Sequence, residues 1–163
     1  MRHRRARVGA SEESRMDQQE LSARELIRDA FTRYAAAGDG GRPADLAAQF
    51  TEDGVLTIKP DPPLVGRAAI TAALAPGEIG VPTDGSRFYT RHMVTNLDFR
   101  IFTPDQVETT AYFLVITPGG PDHWGRYFDV LVPVGDRWLF ASRTVVIDGD
   151  RPGGWRAAGR GAR

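Results

Sequence analysis

The sequence predicts an α+β domain, with helices at the front of the chain and a four-stranded antiparallel meander after them. Two patterns support this. Apolar residues recur at helical spacing between Leu26 and Phe50. From Phe88 onward, long segments rich in Val, Ile, Thr and aromatic residues alternate with short turns containing Gly, Pro or Asp. Helices followed by strands pack on one face of the sheet those strands form.

A chain of 163 residues is long enough for one domain with its own core. It contains no cysteine, which excludes disulfides, thiolate nucleophiles and cysteine metal sites. Formal net charge is zero, and no run approaches the roughly 18 apolar residues of a membrane span. The lack of an apolar leader points to the cytoplasm. The cluster Arg2, Arg4, Arg5, Arg7 and Arg15 is diluted by Glu12, Glu13, Asp17 and Glu20 and reads as a solvated tail, so neither nucleic acid nor membrane is an expected partner. The domain is expected over residues 21–148, between a disordered tail at 1–20 and a flexible Gly- and Arg-rich tail at 149–163.

The first helix is predicted to open at Ser22, the N-cap of a capping box closed by Glu25, with Leu21 and Leu26 as a hydrophobic staple. Leu26, Ile27, Ala30, Phe31 and Tyr34 share one face, and Gly38 supplies the stop. Pro43 opens a second helix that reaches Phe50. Val55 to Lys59 reads as a short strand, and Gly66 to Leu74 as a third helix. Residues 75–87, with three glycines and two prolines, read as a loop at the mouth of a pocket. Strands follow at 88–102, 107–117, 123–134 and 137–147. Strands this long twist and curve, so their concave side can enclose a cavity under the first helix.

A histidine projecting from a sheet can move protons near neutral pH. His92 lies mid-strand, whereas His3 and His123 are placed in a tail and a loop. Alternation puts His92, Val94 and Asn96 on one strand face, and Gly125, Tyr127, Asp129 and Leu131 on another. Arg143 falls with Leu139, Ala141 and Val145. Tyr34 and Asp39, at the end of the first helix, are candidate partners. Each residue also has a plainer reading. Asp39 among Gly38, Gly40 and Gly41 suits a turn, Tyr34 continues an apolar stripe, and Asp129 with Arg143 suits a buried ion pair.

Six stretches in order carry a resemblance to a known family: Arg33 through Asp39, Phe50 to Gly54, Gly66 to Ile70, Arg91-His92 with Asn96, Gly125 to Asp129, and Gly135 to Trp138 leading to Arg143. The chain resembles the SnoaL-like group of the nuclear transport factor 2-like superfamily. That group includes polyketide cyclases, scytalone-type and bile-acid dehydratases, and a dehydrochlorinase. The resemblance implies a cone-shaped, curved antiparallel sheet with N-terminal helices closing a pocket. It implies an acid–base dyad of Asp39 and His92, with Tyr34 and Arg143 as further catalytic groups. Asn96, Tyr127 and Asp129 would then contact the substrate. The scytalone-type enzymes carry an aspartate after the helix tyrosine and a second pocket histidine. Here Ala35 follows Tyr34, and no further histidine is expected on a strand face.

A carboxylate bonded to one imidazole nitrogen fixes the tautomer and raises the basicity of the other. The expectation is therefore a lyase, isomerase or cyclase acting on a small hydrophobic, oxygenated metabolite of polyketide- or steroid-like character, with no metal or organic cofactor. The alternative is a non-catalytic binding or assembly module of the same fold. A homodimer is expected, with Trp124, Phe128 and Val130 giving the outer face of the sheet an apolar surface.

Overall fold

The computed structural model describes residues 16–74 and 88–161. The order of elements is α1 (Gln18–Asp39), α2 (Pro43–Ala47), β1 (Phe50–Ile58), β2 (Leu64–Val65), α3 (Gly66–Ala73), β3 (Arg91–Phe102), β4 (Val107–Thr117), β5 (Gly120–Val134), β6 (Arg137–Asp150) and α4 (Trp155–Gly161). One curved six-stranded sheet runs in the order β2-β1-β6-β5-β4-β3. The expected meander is β3 to β6, antiparallel throughout. β1 joins its far side in parallel with β6, which makes the sheet mixed.

Helix α1 begins four residues before the predicted cap. Asp17 is the N-cap, its carboxylate accepting the Glu20 amide at 2.7 Å. Ser22 is therefore mid-helix, and Leu21 and Leu26 are exposed and form no staple against the core. The buried stripe is Ala23, Ile27, Ala30, Phe31, Tyr34 and Ala37. The helix passes Gly38 and ends with Asp39 as its last residue. The Gly40 amide closes on the Ala36 carbonyl, and Gly41 reverses the chain at φ +61°. Helix α2 stops at Ala47, and strand β1 starts at Phe50 instead of Val55.

Inward-facing residues of β4, β5 and β6 meet the α1 stripe in a core of Phe31, Tyr34, Phe50, Phe113, Tyr127, Leu131 and Phe140. At the C-terminal end, β6 continues to Asp150 and α4 follows, so the expected tail from 149 is structured through Gly161. Of the tail predicted over 1–20, residues 18–20 instead form the first turn of α1, capped by Asp17, while residues 1–15 and the predicted loop over 75–87 lie outside the described residues. No helix among the described residues is long and apolar enough to cross a membrane.

Candidate active site

The end of α1 lies against the start of β3, and the sequence allows the close approach. A Cβ placed at Gly38 would stand in ordinary van der Waals contact with the His92 ring, at 3.7 Å, so the helix terminus packs beside the imidazole. One residue on, Asp39 meets three donors from β3 and the residue before it. Its Oδ1 lies 2.6 Å from His92 Nδ1, and the His92 amide donates to both carboxylate oxygens at 3.1 Å. The Thr90 hydroxyl adds a longer bond of 3.3 Å. Burial pushes the Asp39 carboxyl up, but the bonds from the His92 ring and amide and from Thr90 outweigh it, holding the carboxyl below its ordinary value. Asp39 is thus ionised at neutral pH. It accepts from Nδ1–H and leaves the His92 Nε2 lone pair free to take a proton. The dyad's side chains retain 21% and 18% exposure for His92 and Asp39, so it is sheltered yet reachable.

The other expected residues form a separate cluster deeper in the cone. Arg143 and Asp129 face each other across β6 and β5 in a two-pronged pair of 2.7 and 2.9 Å, with both side chains fully buried. The Arg143 guanidinium lies 4.1 to 4.6 Å from the ring centroids of Phe31, Tyr34, Tyr127 and Phe140. Burial works against its charge, and Asp129 more than restores it. Burial pushes the Asp129 carboxyl up, with Arg143 opposing. Tyr127 stacks on Phe113 at 4.5 Å and meets Tyr34 edge-on. Burial also raises both phenols above their ordinary value, so at neutral pH they can donate a hydrogen bond but cannot act as bases. This arrangement matches the buried ion-pair reading of Asp129 and Arg143.

Two alternation readings fail at bulges. The register of β3 against β4 shifts between Thr95 and Asp98, and Asn96 takes φ +54° and is exposed. It is a bulge residue that does not share the His92 face, and therefore not a pocket wall. The register of β5 against β6 skips Ala141, so Arg143 lines up inward with Val145 and, across the bulge, Phe140, while the predicted Leu139 and Ala141 fall out of phase.

His123 corrects another expectation. It lies in β5, opposite Val115, which is itself opposite His92 on β3. Directly paired residues project to one side of a sheet, so both imidazoles face the concave side, two strands apart. Asp122 is the residue skipped in the β4–β5 register, and this bulge turns it and His123 inward together. Its Oδ2 lies 2.8 Å from His123 Nδ1, a second carboxylate–imidazole pair. Burial lowers the proton affinity of His123, and the Asp122 bond only partly offsets it. The signal was present in the sequence. The inward series Leu131, Asp129, Tyr127, Gly125, continued one step back, ends on His123. Thr90, two residues before His92, was legible in the same way.

Residues 19–144 match the SnoaL-like domain family. The chain belongs to the SnoaL-like family. Similar solved structures agree with this. A Catenulispora acidiphila protein in complex with S-DNPA is 30% identical, covering 78% of this SnoaL-like chain and 95% of that one, with a TM-score of 0.66. ActVI-ORFA of Streptomyces coelicolor is 28% identical over 77% and 96% of the two chains, with a TM-score of 0.65. A Novosphingobium aromaticivorans protein provisionally described as a scytalone dehydratase, 23% identical with a TM-score of 0.69 over 84% and 93%, shares the fold. Among curated proteins, none matches this sequence.

Proposed function

We propose that this SnoaL-like protein is a cofactor-independent acid–base enzyme of the dehydratase, isomerase or cyclase type. Its substrate would be a small apolar, oxygenated metabolite of polyketide- or steroid-like character. The observation that carries the reading is the 2.6 Å contact between Asp39 Oδ1 and His92 Nδ1 at a sheltered, reachable position. The complex of the Catenulispora relative with S-DNPA supports a small organic molecule as the ligand class.

In the proposed step, His92 Nε2 removes a proton from carbon next to a carbonyl, and the electron pair moves into an enolate. Asp39 stabilises the imidazolium that results. The imidazolium then returns the proton. Delivery to a β-hydroxyl expels water; where the substrate is a β,γ-unsaturated carbonyl compound the enolate extends over the alkene, and delivery to the γ-carbon shifts the double bond. Ring closure is the third route, in which the enolate carbon attacks a second carbonyl of the same molecule and the new alkoxide takes the proton. His123 offers a second proton-transfer group on the same concave face, which removes one of the departures from the scytalone-type pattern.

The test is a panel of β-hydroxy ketones and polyketide-like aromatics followed by absorbance for loss of water or a shifted double bond. Turnover that falls by about 10²- to 10⁴-fold in His92→Ala and Asp39→Asn supports the reading. Binding without turnover, equally tight in His92→Ala, identifies a carrier instead. We also propose self-association through the outer face of the sheet, where Tyr112, Trp124 and Phe128 are exposed side by side on β4 and β5. Sedimentation of Trp124→Glu against the parent chain tests it, with a shift toward monomer expected.

A further inference from the structure

The family match ends at residue 144, yet the surroundings of the Asp122–His123 pair are finished by residues beyond it. Asp122, with no exposed surface, accepts the Trp155 amide at 2.6 Å on Oδ1 and the Arg156 amide at 3.2 Å on Oδ2, the oxygen that also holds His123. Its own backbone carbonyl takes the Arg151 amide at 2.6 Å. The indole of Trp155 lies 6.0 Å from the His123 ring and 5.7 Å from Phe88. Gly154 permits the approach, because a Cβ there would stand 2.6 Å from Asp122 Oδ1.

We propose that Asp122 is a positioning residue that couples the C-terminal turn and helix to His123 on the concave face of the sheet. One carboxylate fixes both the His123 imidazole and the first two amides of α4, so docking of α4 and orientation of His123 form a single event. A carboxylate held by two backbone amides has few rotamers left and points one oxygen at Nδ1. That selects the Nδ1–H tautomer of neutral His123 and leaves Nε2 as an acceptor toward the concave side. The charged and titratable groups around the ring include Asp122 on β5, Asp150 paired with His123 from β6, Arg156 on α4 and His92 on β3. The Trp155 indole and the Phe113 ring complete its surroundings.

The coupling is reciprocal by linkage, and each direction has its own measurement. The functional meaning rests on the acid–base reading above, but both measurements are made without substrate, so the coupling can fail while that reading stands, and the reverse. The first variant is Gly154→Ala in the full chain, which crowds the cap without touching His123. ¹⁵N shifts of the imidazole nitrogens report the tautomer, with His92 as the internal control. We expect His123 to lose its Nδ1–H preference and move toward the Nε2–H form favoured by free histidine, while His92 is unchanged. The second variant is His123→Phe, which keeps the ring packing and deletes Nδ1. Exchange of the Trp155 and Arg156 amides is expected to quicken at least about tenfold. An unaltered His123 tautomer in a Gly154→Ala protein whose α4 amides have lost protection overturns the proposal. So do unchanged exchange rates in His123→Phe, a result that remains readable if Gly154→Ala fails to fold.

Discussion

Removing the Asp129 carboxylate while keeping Arg143 would strand a guanidinium among four aromatic rings with no counter-charge. Asp129→Ala is therefore expected to cost about 3–5 kcal/mol in urea unfolding, whereas the double replacement Asp129→Leu with Arg143→Met is expected to recover most of that loss. That contrast separates a stranded charge from a lost interaction. Asp39 differs in kind, being only partly buried and fully supplied with donors, so Asp39→Asn is expected to fold normally and to lose turnover. The types of residue at the site were readable from the sequence: Asp39 with His92 as a dyad, and Asp129 with Arg143 as a pair. Tyr34 was placed correctly in the interior, and alternation put Tyr127 on the same strand face as Asp129 without telling which face is concave. What was hidden was which pair each aromatic ring serves, because both phenols sit on the guanidinium and that depends on tertiary packing.

Among the elements, the strands of the meander were the most legible and their phase the least. Period-two patterning shows that a segment is extended, but a bulge inserts one residue and exchanges the faces beyond it. Three bulges, near Asn96, Asp122 and Ala141, account for the misplaced Asn96, the overlooked Asp122 and the wrong neighbours of Arg143. Gly125 shows how tightly such a register is held. A Cβ there would lie 2.0 Å from the Val146 carbonyl oxygen, so Gly125→Ala is expected to lower stability by about 3 kcal/mol or more in the same unfolding assay. At the start of α1, competing caps confused the reading. Ser22 with Glu25 fits the sequence rule, yet Asp17 provides the cap and lets the helix run further. Asp17→Ala is expected to cost about 1 kcal/mol, and Ser22→Ala much less.

For the molecule as a whole, the perturbed groups set how stability depends on pH. Burial holds the folded-state proton affinity of His123 below the ordinary value of 6.5, so on acidification the unfolded chain takes up this proton first. That contribution is complete above about 6.5 and is lost as pH falls below it. Asp39 and Asp122, both lowered, contribute stability above the ordinary carboxyl value of 3.8 and lose it as pH falls further. Melting temperature is expected to fall from pH 8 to pH 5 and again below pH 4, and His123→Phe should flatten the first segment and reduce the part of the second that Asp122 supplies, since the His123 bond helps to lower Asp122. A histidine on β3 and another on β5, with Val115 between them, also amounts to a built-in ruler. The backbones that carry the two imidazoles are two inter-strand spacings apart, roughly 9.5 Å. That interval belongs to the hydrogen-bonded lattice of the sheet and not to any side chain. Substitutions can retune either imidazole, but only a rebuilt sheet would change the distance over which the pair can work.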